Sequence, residues 1–181
     1  MDGLMVVLMA ACAFAALLAV QAVNMKCRRN SEEKVLKGYF LLGLSGLMAK
    51  LAMADGRVTG DEAELADTFF RKMEVTEAER ALLLGNFITA RRDGLEPRDH
   101  AKRFLAYANP TTSEFLYDLL WRISRADGTV DPAEDKLLHE IALYLGLDEP
   151  AYEFFRAGKS RKYDRAALKA CGVPDSLLAL A

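Results

Sequence analysis

Cysteine is scarce in this 181-residue chain: Cys12, Cys27 and Cys171 are the full set. They lie far apart and form no C-x-x-C pair, which excludes a zinc ribbon and a disulfide framework and fits a reducing compartment. Histidine is scarcer, with His100 and His139 alone. His139-Glu140 opens like a zinc-protease helix, but Leu143 stands where the second histidine should be, so the metal would lack a ligand. The net charge of −2 supplies no concentrated basic face of the kind nucleic-acid binding needs, so no nucleic-acid partner is expected. G-x-S-x-G, Walker and G-x-G-x-x-G patterns are missing, and no cysteine is evidently paired with a histidine. The expectation is that the chain is not an enzyme. Strand-like alternation is missing too, so the fold class is all-α.

What the chain does have is one stretch written twice. Ala54-Asp55-Gly56-Arg57-Val58-Thr59-Gly60-Asp61-Glu62 returns as Ala126-Asp127-Gly128-Thr129-Val130-Asp131-Pro132-Ala133-Glu134. The shared pattern Ala-Asp-Gly-x-Val-x-x-x-Glu follows an apolar helical run in both places and precedes a leucine, Leu65 or Leu137. Two helix–turn–helix halves of one domain are the natural reading. Gly56 and Gly128 suit helix C-termini, where glycine takes the left-handed conformation without a Cβ clash. Thr59 with Glu62, and Asp131 with Glu134, have capping-box spacing, and Pro132 falls at a first helical position.

The same letters also resemble the second half of a calcium-binding EF-hand loop. Its first half should place oxygen ligands four and two residues before the aspartate, but Leu51 and Met53, or Ile123 and Arg125, stand there. A working EF-hand is therefore not expected. A looser alternative stays open. If the halves pack around a pseudo-twofold axis, Asp55, Asp61, Glu62, Asp127, Asp131 and Glu134 form a carboxylate cluster. Such a cluster would bind Ca2+ or Mg2+, or receive a basic partner. The spacing by itself demands no cofactor.

Leu4 to Val23 is an apolar run broken near its end by Gln21, long enough to cross a bilayer as a helix. Lys26, Arg28, Arg29 and Lys34 follow it, so the short N-terminus is expected outside and the remainder in the cytoplasm. Ala11, Ala15 and Ala19 share a small-xxx-small face that would allow the anchor to homodimerise. Asn30 to Glu33 reads as a polar hinge. Residues 35–54 read as a central core helix with Gly38, Gly43 and Gly46 for close packing, a second membrane segment being the alternative. Helix two has Leu65, Phe69 and Phe70 inward. Thr76 and Glu79 open helix three, expected to bury Leu82, Leu83, Phe87 and Ile88. Pro97 opens a helix with His100, Phe104, Leu105 and Tyr107, and further helices follow Asn109-Pro110, Pro132 and Glu149-Pro150. The methionines and Trp121 look like core fillers. Arg156 to Lys169 reads as a solvated basic linker, with contact to anionic lipid headgroups as the other reading.

The doubled turn, with its flanking helices, resembles the TerB-like domain of tellurite-resistance proteins. With the anchor in front, the order from Leu4 to about Phe155 resembles membrane-anchored, DjlA-type DnaJ-like co-chaperones. The resemblance implies residues 1–25 as a transmembrane anchor, 26–34 as a juxtamembrane hinge, 35–157 as the TerB-like bundle, and 158–181 as basic linker and short C-terminal helix. It also implies a bacterial-type inner-membrane location, a stress-response context and a protein partner docked by the bundle. Tyr163 to Pro174 faintly resembles the opening of a J-domain, or is simply an amphipathic helix. His-Pro-Asp, the tripeptide with which J-domains stimulate a DnaK-type ATPase, does not occur in the sequence, so that stimulation is not expected.

Overall fold

The computed structural model describes residues 31–54, 67–68, 70–71, 76–125 and 130–181. The expected anchor (Leu4–Val23, with Ala11, Ala15 and Ala19) lies outside the described residues. So do Asp55, Gly56, Thr59, Asp61, Glu62, Leu65, Phe69, Asp127 and Gly128. Among the described residues all regular structure is helical, and Leu36–Ala181 form one compact unit. Of the separate N-terminal unit, only residues 31–35 are described; they are helical and exposed. Helix α1 spans Ser31–Ala52, so Ser31 to Lys34, expected as part of a hinge, are its first turn; the rest of that hinge lies outside the described residues.

By length and hydropathy α1 could cross a bilayer, but it is a core helix. Phe40, Leu41, Leu44, Leu47, Met48, Ala49 and Leu51 are all buried. Fully burying a large apolar side chain is worth about 1.5–3 kcal/mol, which makes α1 the axis of the bundle.

Helix α2 (Glu77–Ala90) runs beside α1 in the same direction. Lys37 pairs with Glu79, the Asn86 amide donates to Leu42 O at 3.1 Å, and Lys50 Nζ donates to Ala90 O at 2.5 Å. Thr76 and Glu79 form the expected capping box. Of the expected inward residues, Leu83 and Phe87 are buried, but Leu82 and Ile88 are 42% and 43% exposed. The reason is geometric: Leu83, Phe87 and Ala90 already fill the stripe facing α1, and Leu82 and Ile88 fall beside it.

Helix α3 (Pro97–Leu105) crosses α1 the opposite way. His100 lies against Gly46, Phe104 against Gly43, and Tyr107 stacks on Tyr39 with ring centroids 3.7 Å apart. The glycines thus form a notch that receives residues four apart on α3, ridge into groove. Tyr107 lies just past the end of α3, and it and Leu105 are exposed.

Helices α4 (Pro110–Ser124), α5 (Pro132–Tyr144) and α6 (Glu149–Arg156) complete the family of longer elements. Trp121 and Tyr117 on α4 are buried, and the Tyr117 hydroxyl donates to Leu138 O at 3.0 Å, satisfying its polar end. Gly146, at φ +77, closes α5, and the Leu147 amide returns to Ala142 O at 2.9 Å.

Where a solvated linker was expected, the chain turns back onto the bundle. Helices α7 (Arg165–Ala170) and α8 (Asp175–Leu178) bury Leu168, Leu177 and Leu178, with Val173 between them. Gly172, at φ +80, lies against the Leu36–Lys37 backbone, where a Cβ would overlap Leu36 C and Lys37 N. Arg122 reaches over to Leu180 O at 3.1 Å while also pairing with buried Asp118 at 2.7 Å.

Candidate functional site

The second Asp-Gly stretch lies in sequence between α4 and α5, and its described half, from Val130 on, leads into a helix start. The Asp131 carboxylate accepts from the Ala133 amide at 2.7 Å, and the Glu134 carboxylate accepts from the Asp131 amide at 3.0 Å. Pro132 occupies the first turn, where its missing N–H costs nothing. Both carboxylates therefore have backbone partners before any ion is considered. Val130 packs on the core. Among the described residues no three His, Cys, Asp or Glu side chains form a metal-holding group. The remaining members of the expected cluster, Asp55, Asp61, Glu62 and Asp127, lie outside the described residues.

Arg125, which stands at a would-be calcium-ligand position, closes a different helix. Its Nη2 donates to Phe155 O at 2.5 Å and Arg156 O at 2.7 Å, and its guanidinium lies 4.6 Å from the Trp121 ring centroid. A cation at the last carbonyls of α6 complements that helix's dipole.

Beside the turn, α5 and α6 are cross-braced by side chains. The Tyr152 hydroxyl donates to Asp135 Oδ1 at 2.9 Å, and Arg156 pairs with Asp135 Oδ2 at 3.1 Å. His139 tilts over the Tyr152 ring at 4.4 Å and meets Glu149 Oε2 at 2.7 Å. Burial, then the Asp135 carboxylate, pushes the Tyr152 phenol up to about 12, so it stays a neutral donor at physiological pH. This geometry braces two helices; it activates no nucleophile. The histidine that opened like a zinc-protease motif is part of that brace.

A second polar cluster lies at the edge of the bundle, between buried His100, half-buried Lys50 and exposed Asp93. Lys50 Nζ donates to Asp93 Oδ1 at 3.0 Å, and His100 Nε2 lies 3.4 Å from Asp93 Oδ2. Burial raises the Asp93 carboxyl, but the Leu95 amide at 2.9 Å and the Lys50 ammonium outweigh it and hold the group below the usual carboxylate range. Burial pushes His100 the other way, below the ordinary histidine value, so the neutral imidazole is favoured. The cluster ties α1 to the loop between α2 and α3.

The surface feature that sequence periodicity missed is the outward side of α2. Ala78, Ala81, Leu82, Gly85, Ile88 and Thr89 are all exposed, and no residue from Ala81 to Ala90 is charged. Surface helices ordinarily turn charged residues to water, so an uncharged exposed stripe is unusual. The signal was present in the sequence as the lack of any charge between Arg80 and Arg91.

Comparisons with known proteins agree with this architecture. The family described as tellurite resistance protein TerB matches residues 41–157. The co-chaperone protein DjlA of Photobacterium profundum is 30% identical over 128 residues, covering 70% of this chain and 46% of that protein. The co-chaperone protein DjlA of Vibrio vulnificus is 28% identical over 136 residues, with 66% and 46% covered. The chain thus spans about half the length of these relatives. No solved structure matches it. With an all-helical bundle and a family match across most of its length, the chain belongs to the TerB family.

Proposed function

We propose that this chain is a membrane-tethered, non-catalytic docking module related to co-chaperones, with the TerB bundle as its docking part. The observation that carries the reading is the uncharged, exposed side of α2, with Leu82 and Ile88, both exposed, along its two edges. Apolar surface of this kind is stabilised when a partner removes it from water, at roughly 25 cal/mol for each Å² covered. Similarity to proteins named as DjlA co-chaperones supports a protein partner over a small-molecule substrate.

The tether is the Leu4–Val23 run, and the basic residues after it orient the bundle toward the cytoplasm of a bacterial-type inner membrane. Ala11, Ala15 and Ala19 give the tether a homodimer face, and Ala15→Leu should weaken cross-linking between two anchors. The context follows that of the relatives, a chaperone-linked or tellurite stress response.

Co-purification from detergent-solubilised membranes tests the docking reading. The double variant Leu82→Asp, Ile88→Asp should lose the captured partner while its melting temperature stays near that of the native chain. Capture unchanged by that variant would contradict it. The alternative is a Ca2+ or Mg2+ site built from the six turn carboxylates. In that case charge reversal at Asp55 and Asp127 would abolish a metal-induced rise in melting temperature; without such a rise, the carboxylates remain caps.

A further inference from the structure

Gly158, at φ +74, turns the chain out of α6, and Lys159, Ser160, Arg161 and Lys162 follow it exposed. The loop is nonetheless fixed at both ends. Beyond it the Tyr163 ring packs edge-on to Phe115 at 5.3 Å, and the Asp164 carboxylate accepts from the Ala166 amide at 2.9 Å to start α7. Within it Arg161 pairs with Glu114 at 2.6 Å and lies 4.8 Å from the Phe154 ring centroid, with the Lys159 ammonium 5.8 Å from the same ring. Lys162 and exposed Arg165 have no acidic partner among the described residues. The one nearby carboxylate in the sequence, Asp164, is engaged by its cap.

We infer that this ordered basic loop, Lys159 to Arg165, is a contact surface for an anionic lipid layer and sets how the bundle rests on its membrane. The inference rests on the tether reading above. A disordered basic linker loses conformational freedom when it binds, whereas this loop is already fixed by Arg161 on Glu114 and Phe154 and by the Tyr163 anchor, so less backbone entropy is lost. Among the described residues the loop projects charge, and its neighbouring apolar side chains, Phe154 and Tyr163, are half-buried against the core. That matches a diffuse negative layer better than a shaped protein partner. Covalent attachment to the apolar run keeps the loop within reach of such a layer at high effective concentration.

Hydrogen exchange on the full-length chain tests this, in nanodiscs of phosphatidylcholine alone and of phosphatidylcholine with phosphatidylglycerol. Amides of residues 158–166 should exchange several-fold more slowly in the anionic discs. Added salt should remove the difference, because exposed charges are screened within about 8–10 Å at physiological ionic strength. The triple variant Lys159→Glu, Lys162→Glu, Arg165→Glu should remove it as well, while retaining the native melting temperature. Equal exchange in both discs overturns the inference, and slowing on added polyglutamate instead would assign the loop to an acidic protein. A chain that enters neither disc sinks the tether reading. The freely dissolved chain is then offered anionic vesicles, where cosedimentation lost in the triple variant upholds the loop and no cosedimentation overturns it.

Discussion

Gly46 of α1 and His100 of α3 touch so closely that a single methyl group does not fit between them. A Cβ on Gly46 would overlap Nδ1 of the imidazole, with Cε1 at 3.0 Å and Cγ at 3.1 Å. One turn earlier on α1, a Cβ on Gly43 would stand 2.8 Å from Phe104 Cδ2 and 3.0 Å from Phe104 Cβ. The third glycine, Gly38, has open space around it. Three glycines in one helix therefore have different reasons to be there.

Their alanine variants should separate accordingly. Gly46→Ala and Gly43→Ala should each destabilise the bundle by about 1–3 kcal/mol, overpacking outweighing the helical gain. Gly38→Ala should stabilise it by roughly 0.5–1 kcal/mol through helix propensity alone. Urea unfolding of the three variants decides it, and equal losses at all three positions would refute the notch.

The pH dependence of stability should carry the mark of His100. Burial holds its pKa below the ordinary 6.5, and Lys50 and Arg103 push the same way, with Asp93 and Asp99 opposing. Above 6.5 both folded and unfolded states hold a neutral imidazole, and full stability is present. As pH falls below that value the unfolded chain takes up its proton first, so stability declines toward the folded pKa. His100→Gln should flatten this slope between about pH 6.5 and the folded pKa. An unchanged slope would remove His100 from the account. Asp93 acts in a lower window: its depressed carboxyl contributes stability above the ordinary 3.8 that is lost as pH falls through its folded value.

Much of this was legible before the structure. The boxes at Thr76–Glu79 and Asp131–Glu134 are local, each completed within a single helical turn, so spacing alone finds them. Gly43 and Gly46 announced a close approach but not its partners, because Phe104 and His100 come from far along the chain. Leu82 and Ile88 went astray because an apolar helix with few charges gives no polar side to orient it. The C-terminal return was hidden by its charges. Leu168, Val173 and Leu177 are spaced by turns rather than by one helix, and their docking is set by Gly172 meeting α1.

That meeting makes its own prediction. Gly172→Val introduces a side chain at φ +80 against the Leu36–Lys37 backbone. Left-handed backbone costs about 1–2 kcal/mol for a residue with a Cβ, and the overlap adds to it. Hydrogen exchange should speed up through residues 163–181 first, with α4 and α5 following less. Uniform acceleration across the bundle would contradict a separately docked segment.

The caps predict an insensitivity. Asp131→Ala should cost about 1 kcal/mol, the usual worth of an N-cap. The loss should be the same with Ca2+, with Mg2+ and with chelator present. A loss that appears only with the divalent ion would transfer Asp131 from cap to ligand.

The central claim is that the bundle docks a protein through the uncharged side of α2. The most direct measurement is photo-cross-linking in intact membranes from a probe residue at position 82 or 88, with position 143, a still more exposed leucine on α5, as control. The account predicts a discrete protein adduct from positions 82 and 88 and none from 143. Equal adducts at all three, or none at 82 and 88, would contradict it.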